Sequence, residues 1–100
     1  MGNSQRIKGK AGELEVVHKL NDHGITARRG YVQFKEPDIM SELPFHLEVK
    51  RQETTKIQEW MRQSISQCRG KIPTVVHRRS REEWLITMRF DDFLEYIKEK

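Results

Sequence analysis

Pro37-Asp38-Ile39-Met40-Ser41-Glu42-Leu43-Pro44-Phe45-His46-Leu47-Glu48-Val49-Lys50 is the stretch that decides the fold. Its second half alternates strictly, Phe45, Leu47 and Val49 against His46, Glu48 and Lys50. A period of two belongs to a half-buried strand with one apolar and one polar face. Asp38-Ile39-Met40 supplies a short strand before it. Ser41-Glu42-Leu43-Pro44 has turn chemistry, because Pro44 cannot donate to a ladder and holds Leu43 extended. A hairpin centred near Leu43 sets Asp38 opposite Glu48, with Cβ atoms about 4.5–5.5 Å apart. Opposed carboxylates repel, and a divalent cation between them makes the arrangement favourable. Glu48 and Lys50 share one strand face at a Cα spacing of roughly 6.5–7 Å. The ribbon is thus expected to present two metal-binding carboxylates and an ammonium together.

Upstream, Ala11, Leu14, Val16, Val17 and Leu20 recur at helical spacing from about Lys10 to His23, and Gly24 is a natural stop. Glu13 lies in the first turns of this helix, where the dipole favours an acid. Glu15, two positions on, points elsewhere. Ile25–Arg29 and Tyr31–Phe34 read as strand material around Gly30, with Tyr31 and Phe34 expected to pack in the core or hairpin rather than to stack on bases. Arg28 and Arg29 either reach phosphates or form a solvated edge.

Downstream, a polar connection offers Thr54 or Thr55 as an N-cap. Ile57, Trp60, Met61, Ser64, Ile65 and Cys68 then trace one helical face, ending at Gly70. Gln58, near the helix start, could approach Lys50. Ile72–His77 is β-branched strand material, and a basic turn, Arg78-Arg79-Ser80-Arg81, precedes a second strand, Trp84–Met88. Asp91 is expected to cap a last helix with Phe93, Leu94 and Ile97 on its apolar face, so Asp91-Asp92 reads as capping rather than as a metal site. The order α-β-β-β-α-β-β-α describes an α/β (α+β) domain, a central mixed sheet flanked by helices.

With 100 residues, 35% hydrophobic and 34% charged, the chain is expected to be one domain, residues 1–100, with residues 1–8 a flexible basic arm. A net charge of +4 favours polyanions. The single cysteine, Cys68, excludes an internal disulfide and a cysteine-based zinc site, and fits a reducing, cytoplasmic compartment. No run approaches a transmembrane span, and no small-molecule organic cofactor is expected. His18, His23, His46 and His77 have no metal-ligand spacing.

Pro37-Asp38 followed by Glu48-Val49-Lys50 resembles the pattern of the PD-(D/E)xK nucleases. Gly9-Lys10-Ala11-Gly12-Glu13 resembles the first-helix glutamate motif of archaeal and phage Holliday junction resolvases. Gln58, followed by Trp60, resembles the glutamine-bearing helix common after the Glu-x-Lys strand. Over its whole length the chain looks like a phage-type member. It departs in carrying Gln33-Phe34-Lys35-Glu36 where archaeal resolvases usually have small Ser/Gly residues before the Pro-Asp.

The resemblance implies a restriction-endonuclease-like core and a homodimer that hydrolyses phosphodiesters in DNA four-way junctions with Mg²⁺ or Mn²⁺. It implies Asp38, Glu48 and the Val49 carbonyl as metal ligands, and Glu13 as a ligand directly or through water. Lys50 would orient or deprotonate water or, the preferred role between two acids, offset phosphate charge, with Gln58 behind it. Arg6, Lys8, Lys10, Arg28, Arg29, Arg51, Arg78, Arg79 and Arg81 are the expected DNA contacts. The alternatives are a related virus-type flap or nicking nuclease, and a catalytically silent nucleic-acid-binding module.

Overall fold

The computed structural model describes residues 2–99, with side chains from Gly9 onward. β3 (Phe45–Arg51) is the middle strand of a five-stranded mixed sheet with strand order β1-β2-β3-β4-β5. β1 (Ala27–Arg29), β2 (Ile39–Ser41) and β3 run antiparallel in turn. β4 (Ile72–Arg78) is parallel to β3 over seven residue pairs, Phe45 opposite Ile72 through Arg51 opposite Arg78. β5 (Leu85–Met88) closes the order antiparallel to β4. A parallel pair needs a crossover, and α2 (Ile57–Gln67) provides it. With α1 (Gly2–Asp22) and α3 (Phe90–Lys98), the order is the expected α-β-β-β-α-β-β-α, an α+β domain.

Two apolar clusters hold the layers. Val16 and Val17 of α1 pack on Ile39 and Leu47, and Trp60 and Met61 of α2 pack on Val75. Because both helices cover β3, its polar face is not the solvated face that alternation alone implies. His46 and Glu48 are as buried as Leu47.

Other local expectations change. Residues 31–34 do not continue a strand: Val32–Phe34 form a single 3-10 turn, and Tyr31, Val32 and Phe34 are exposed, not packed. The cause lies at Gly30. A Cβ there would sit 1.7 Å from the Pro37 carbonyl oxygen, and Gly30 N–H donates to the Asp38 carbonyl at 2.9 Å. The chain therefore folds back on itself at once, and residues 31–36 bulge outward. Neither Thr54 nor Thr55 caps α2, whose flanking residue is Lys56, and Arg89 rather than Asp91 flanks α3. Asp91 and Asp92 lie in the first turn of α3, with Asp92 bonded to Arg89. Leu14 and Ile65 are partly exposed at the margins of their helical stripes. The α1 backbone extends back to Gly2, while the side chains of Arg6 and Lys8 lie outside the described residues. Among the described residues no helix is long and apolar enough to cross a membrane.

Candidate active site

Hairpin register positions the first two acids. Ile39 pairs with Leu47, so the next position outward sets Asp38 against Glu48, as the centre at Leu43 requires. Ile39 and Leu47 point into the core shared with α1; Asp38 and Glu48, one residue along each strand, point to the other face. Their carboxyl groups are within hydrogen-bonding reach of each other. Regular pairing ends here, and Asp38 Oδ2 accepts the Val49 N–H at 2.9 Å. A side chain thus satisfies a β3 amide and leaves the sheet open as a cleft.

The cleft has a volume of about 820 Å³ and brings together Glu13, Asp38, Glu48, Val49 and Lys50. These come from three elements, α1, the start of β2, and β3. Glu13 reaches it with Nε of Arg29 donating to its Oε1 at 2.8 Å. Lys50 Nζ donates to Gln63 Oε1 at 3.1 Å, and Gln63 also lines the cleft. Gln58 is exposed elsewhere on α2. Five residues on a helix is about 140° of rotation beyond a full turn, so only one of the two glutamines can face Lys50. Gln63 replaces Gln58.

The electrostatics follow from burial of like charges. Glu48, 4% exposed, has its pKa pushed up to about 7, first by burial, then by the charge and hydrogen bond of Asp38, against the pull of Lys50. Burial also raises Glu13, with Asp38 adding to the rise and Arg29 opposing it. His46, whose Nδ1 has no hydrogen-bond partner among the described residues, is held below its ordinary pKa by burial and so favours the neutral ring.

Among the described residues no group of three or more His, Cys, Asp or Glu side chains is arranged to hold a metal ion. Glu13 is turned onto Arg29, and one Asp38 oxygen is taken by Val49. The donor chemistry nevertheless fits a hard divalent cation at the Asp38–Glu48 pair, with oxygen ligands and an open side. Two carboxyls close enough to retain a proton near neutral pH offer a cation the place of that proton.

No family model and no curated protein matches this chain.

The expected DNA contacts divide in two. Arg28 is bidentate to Glu36, Arg29 holds Glu13, and Arg51 and Arg78 both bind Glu15. Each of these four arginines is paired with an acid that the sequence does not connect to it. Lys10, Arg79 and Arg81 are exposed. Glu15 does face away from the cleft, but it is not idle. It accepts Arg78 at 2.9 Å, Arg51 at 3.4 Å and Trp84 Nε1 at 3.2 Å, fastening α1 to the ends of β3 and β4. Sequence reasoning missed Gln63, the orienting role of Arg29 and the close approach at Gly30. A glycine wedged between two strand signals is the only local sign of the last.

Proposed function

We propose that the protein is a Mg²⁺- or Mn²⁺-dependent DNA endonuclease of the PD-(D/E)xK type, hydrolysing phosphodiester bonds in branched DNA, with the four-way junction as the preferred substrate and a homodimer as the working form. The observation that carries this is the convergence of Glu13, Asp38, Glu48 and Lys50 on one open cleft. A silent binding module has no need to bury like charges in this way. Hydrolysis requires a water activated for attack on phosphorus, one P–O ester bond broken, and charge on the phosphate offset. A bound divalent cation supplies the acidification of water and much of that charge compensation. Asp38 and Glu48 would hold it, with the Val49 backbone beside them. Glu13, oriented by Arg29, would complete the acid set directly or through water. Lys50, oriented by Gln63, offsets charge on a non-bridging phosphate oxygen and positions the attacking water.

A four-way junction has pseudo-twofold symmetry, and a symmetric dimer can set two clefts on opposed strands. The surface supports a second copy. β5 is an edge strand with Leu85 and Ile86 exposed, and α3 leaves Phe90, Phe93, Leu94 and Ile97 uncovered. These side chains leave apolar surface for a second copy to cover, where a standard interface takes about 800 Å² per partner. The related reading as a flap or nicking nuclease is favoured by the exposed 31–34 turn beside Asp38.

The test is incubation of purified protein with labelled four-way junction, flap and plain duplex, with and without Mg²⁺ or Mn²⁺. Paired symmetric nicks in the junction, lost in Asp38→Asn, Glu48→Gln and Lys50→Ala while the circular dichroism spectrum is kept, are expected. Metal-independent cleavage, or wild-type rates in these variants, would end the proposal.

A further inference from the structure

We infer that the groove between the 31–36 turn and the C-terminal end of α2 binds an unpaired nucleic-acid strand, with Phe34 as the platform on which a base stacks next to the cut. The groove, about 840 Å³, is lined by Val32, Phe34, Lys35, Asp38, Arg69 and Lys71. Val32 is 85% exposed, Phe34 66% and Tyr31 47%. Three large apolar side chains on one short turn are costly to leave in water, and such a cluster marks an interaction surface.

The turn is rigidly built. Glu36 accepts the Tyr31 N–H at 2.8 Å and both terminal nitrogens of Arg28, whose guanidinium lies 4.3 Å from the Tyr31 ring centroid. The Phe34 and Tyr31 rings stand nearly perpendicular, 6.0 Å between centroids, and most of Phe34 is open to solvent. A preset ring loses little freedom when it takes a flat partner.

Charge selects the occupant. Lys35, Arg69 and Lys71 line the same groove. Glu36 is already paired with Arg28, and Asp38 belongs to the cleft already described. An occupant with flat apolar faces strung on a polyanion meets both demands, and single strands are held by this combination of aromatic platforms and basic grooves. A base inside a duplex has no face to offer. Because Asp38 lines both the groove and the cleft, a strand held there brings its phosphates to the acids. The inference rests on the nuclease reading for the polymer concerned, and it makes unpaired nucleotides beside the cut part of the substrate.

The test is fluorescence anisotropy in chelator, where cleavage is not required, with a labelled single-stranded oligonucleotide and its blunt duplex. Phe34→Ala is expected to weaken single-strand binding by roughly 5- to 150-fold and duplex binding little. Phe34→Tyr, which keeps a ring, should restore it. Lys71→Ala should lower the salt dependence of single-strand binding by about one phosphate contact. Equal losses on both probes, no loss in Phe34→Ala, or no binding of the single strand by wild type would overturn the inference; the last would hand the groove to another acidic partner. Failure of the nuclease reading is seen separately, as absence of metal-dependent nicking by a protein that still shows the Phe34-dependent preference.

Discussion

Glu48→Gln is expected to stabilise the metal-free protein at alkaline pH while abolishing cleavage. Glu48 is almost wholly buried beside Asp38, and its folded-state pKa is about 7 instead of 4.5. At about 1.36 kcal/mol per pH unit, that displacement is on the order of 3 kcal/mol. Below pH 4.5 the carboxyl is protonated in folded and unfolded chains alike, and its contribution is intact. As the pH rises through 7 the folded protein must release a proton that the unfolded chain released earlier, and that stability is lost. Glutamine mimics the protonated acid, because its amide can donate to Asp38, and it has no proton to lose. The variant should therefore match wild type near pH 4 and exceed it at pH 8 by up to this amount, on the order of 10 °C in melting temperature for a domain of this size. Urea or thermal unfolding in chelator across that range measures it, the difference between the two proteins being read at each pH. Added Mg²⁺ should then stabilise wild type and not the variant. A variant less stable than wild type at pH 8 without metal, or a difference that does not grow with pH, would refute the account of buried like charges.

Gly30→Ala forces a Cβ against the Pro37 carbonyl oxygen and should cost about 2–3 kcal/mol, with cleavage lost even at temperatures where circular dichroism reports a folded protein; unchanged activity would remove the close approach as the element that sets Asp38. Glu15→Gln leaves Arg78 and Arg51 underpaired and should lower stability by about 1–2 kcal/mol without changing metal affinity, as calorimetry can determine. Gln63→Ala should reduce kcat several-fold and Gln58→Ala should not; the reverse order would give the role beside Lys50 to Gln58. Ile86→Lys should convert a dimer to a monomer by light scattering, and a wild type monomeric at tens of micromolar would remove the β5–α3 surface from the interface.

The parts legible in the sequence were those governed by local periodicity. A two-residue alternation and one proline were enough to set Asp38 opposite Glu48, and helical geometry was enough to turn Glu15 away from Glu13. What was not legible depended on partners far along the chain. Arg29 and Arg78 read as free cations until Glu13 and Glu15, 16 and 63 residues away, are brought against them. The apolar stripe fixes which face α2 turns to the sheet, but whether Gln58 or Gln63, on opposite sides of that stripe, lies toward Lys50 depends on the direction in which α2 crosses β3. Tyr31, Val32 and Phe34 read as strand because aromatic and β-branched residues favour strands, and only the backbone contact at Gly30 expels them.

The Glu13–Arg29 pair sets the terms on which a cation can enter the cleft. Asp38 and Glu48 can relieve their repulsion by keeping a proton, but Glu13, beside Asp38 and partly buried, relies on the Arg29 guanidinium. A cation at the pair would attract Glu13, and Arg29 would then either follow it, keeping the bond, or release it. Following is the cheaper path, because a partly buried guanidinium left without its acid loses a charge-assisted bond worth about 1.5–3 kcal/mol. Were a cation held at Asp38 and Glu48, Glu13 would therefore keep Arg29 as its partner. Arg29 would thus restrain the third acid beside the Asp38–Glu48 pair.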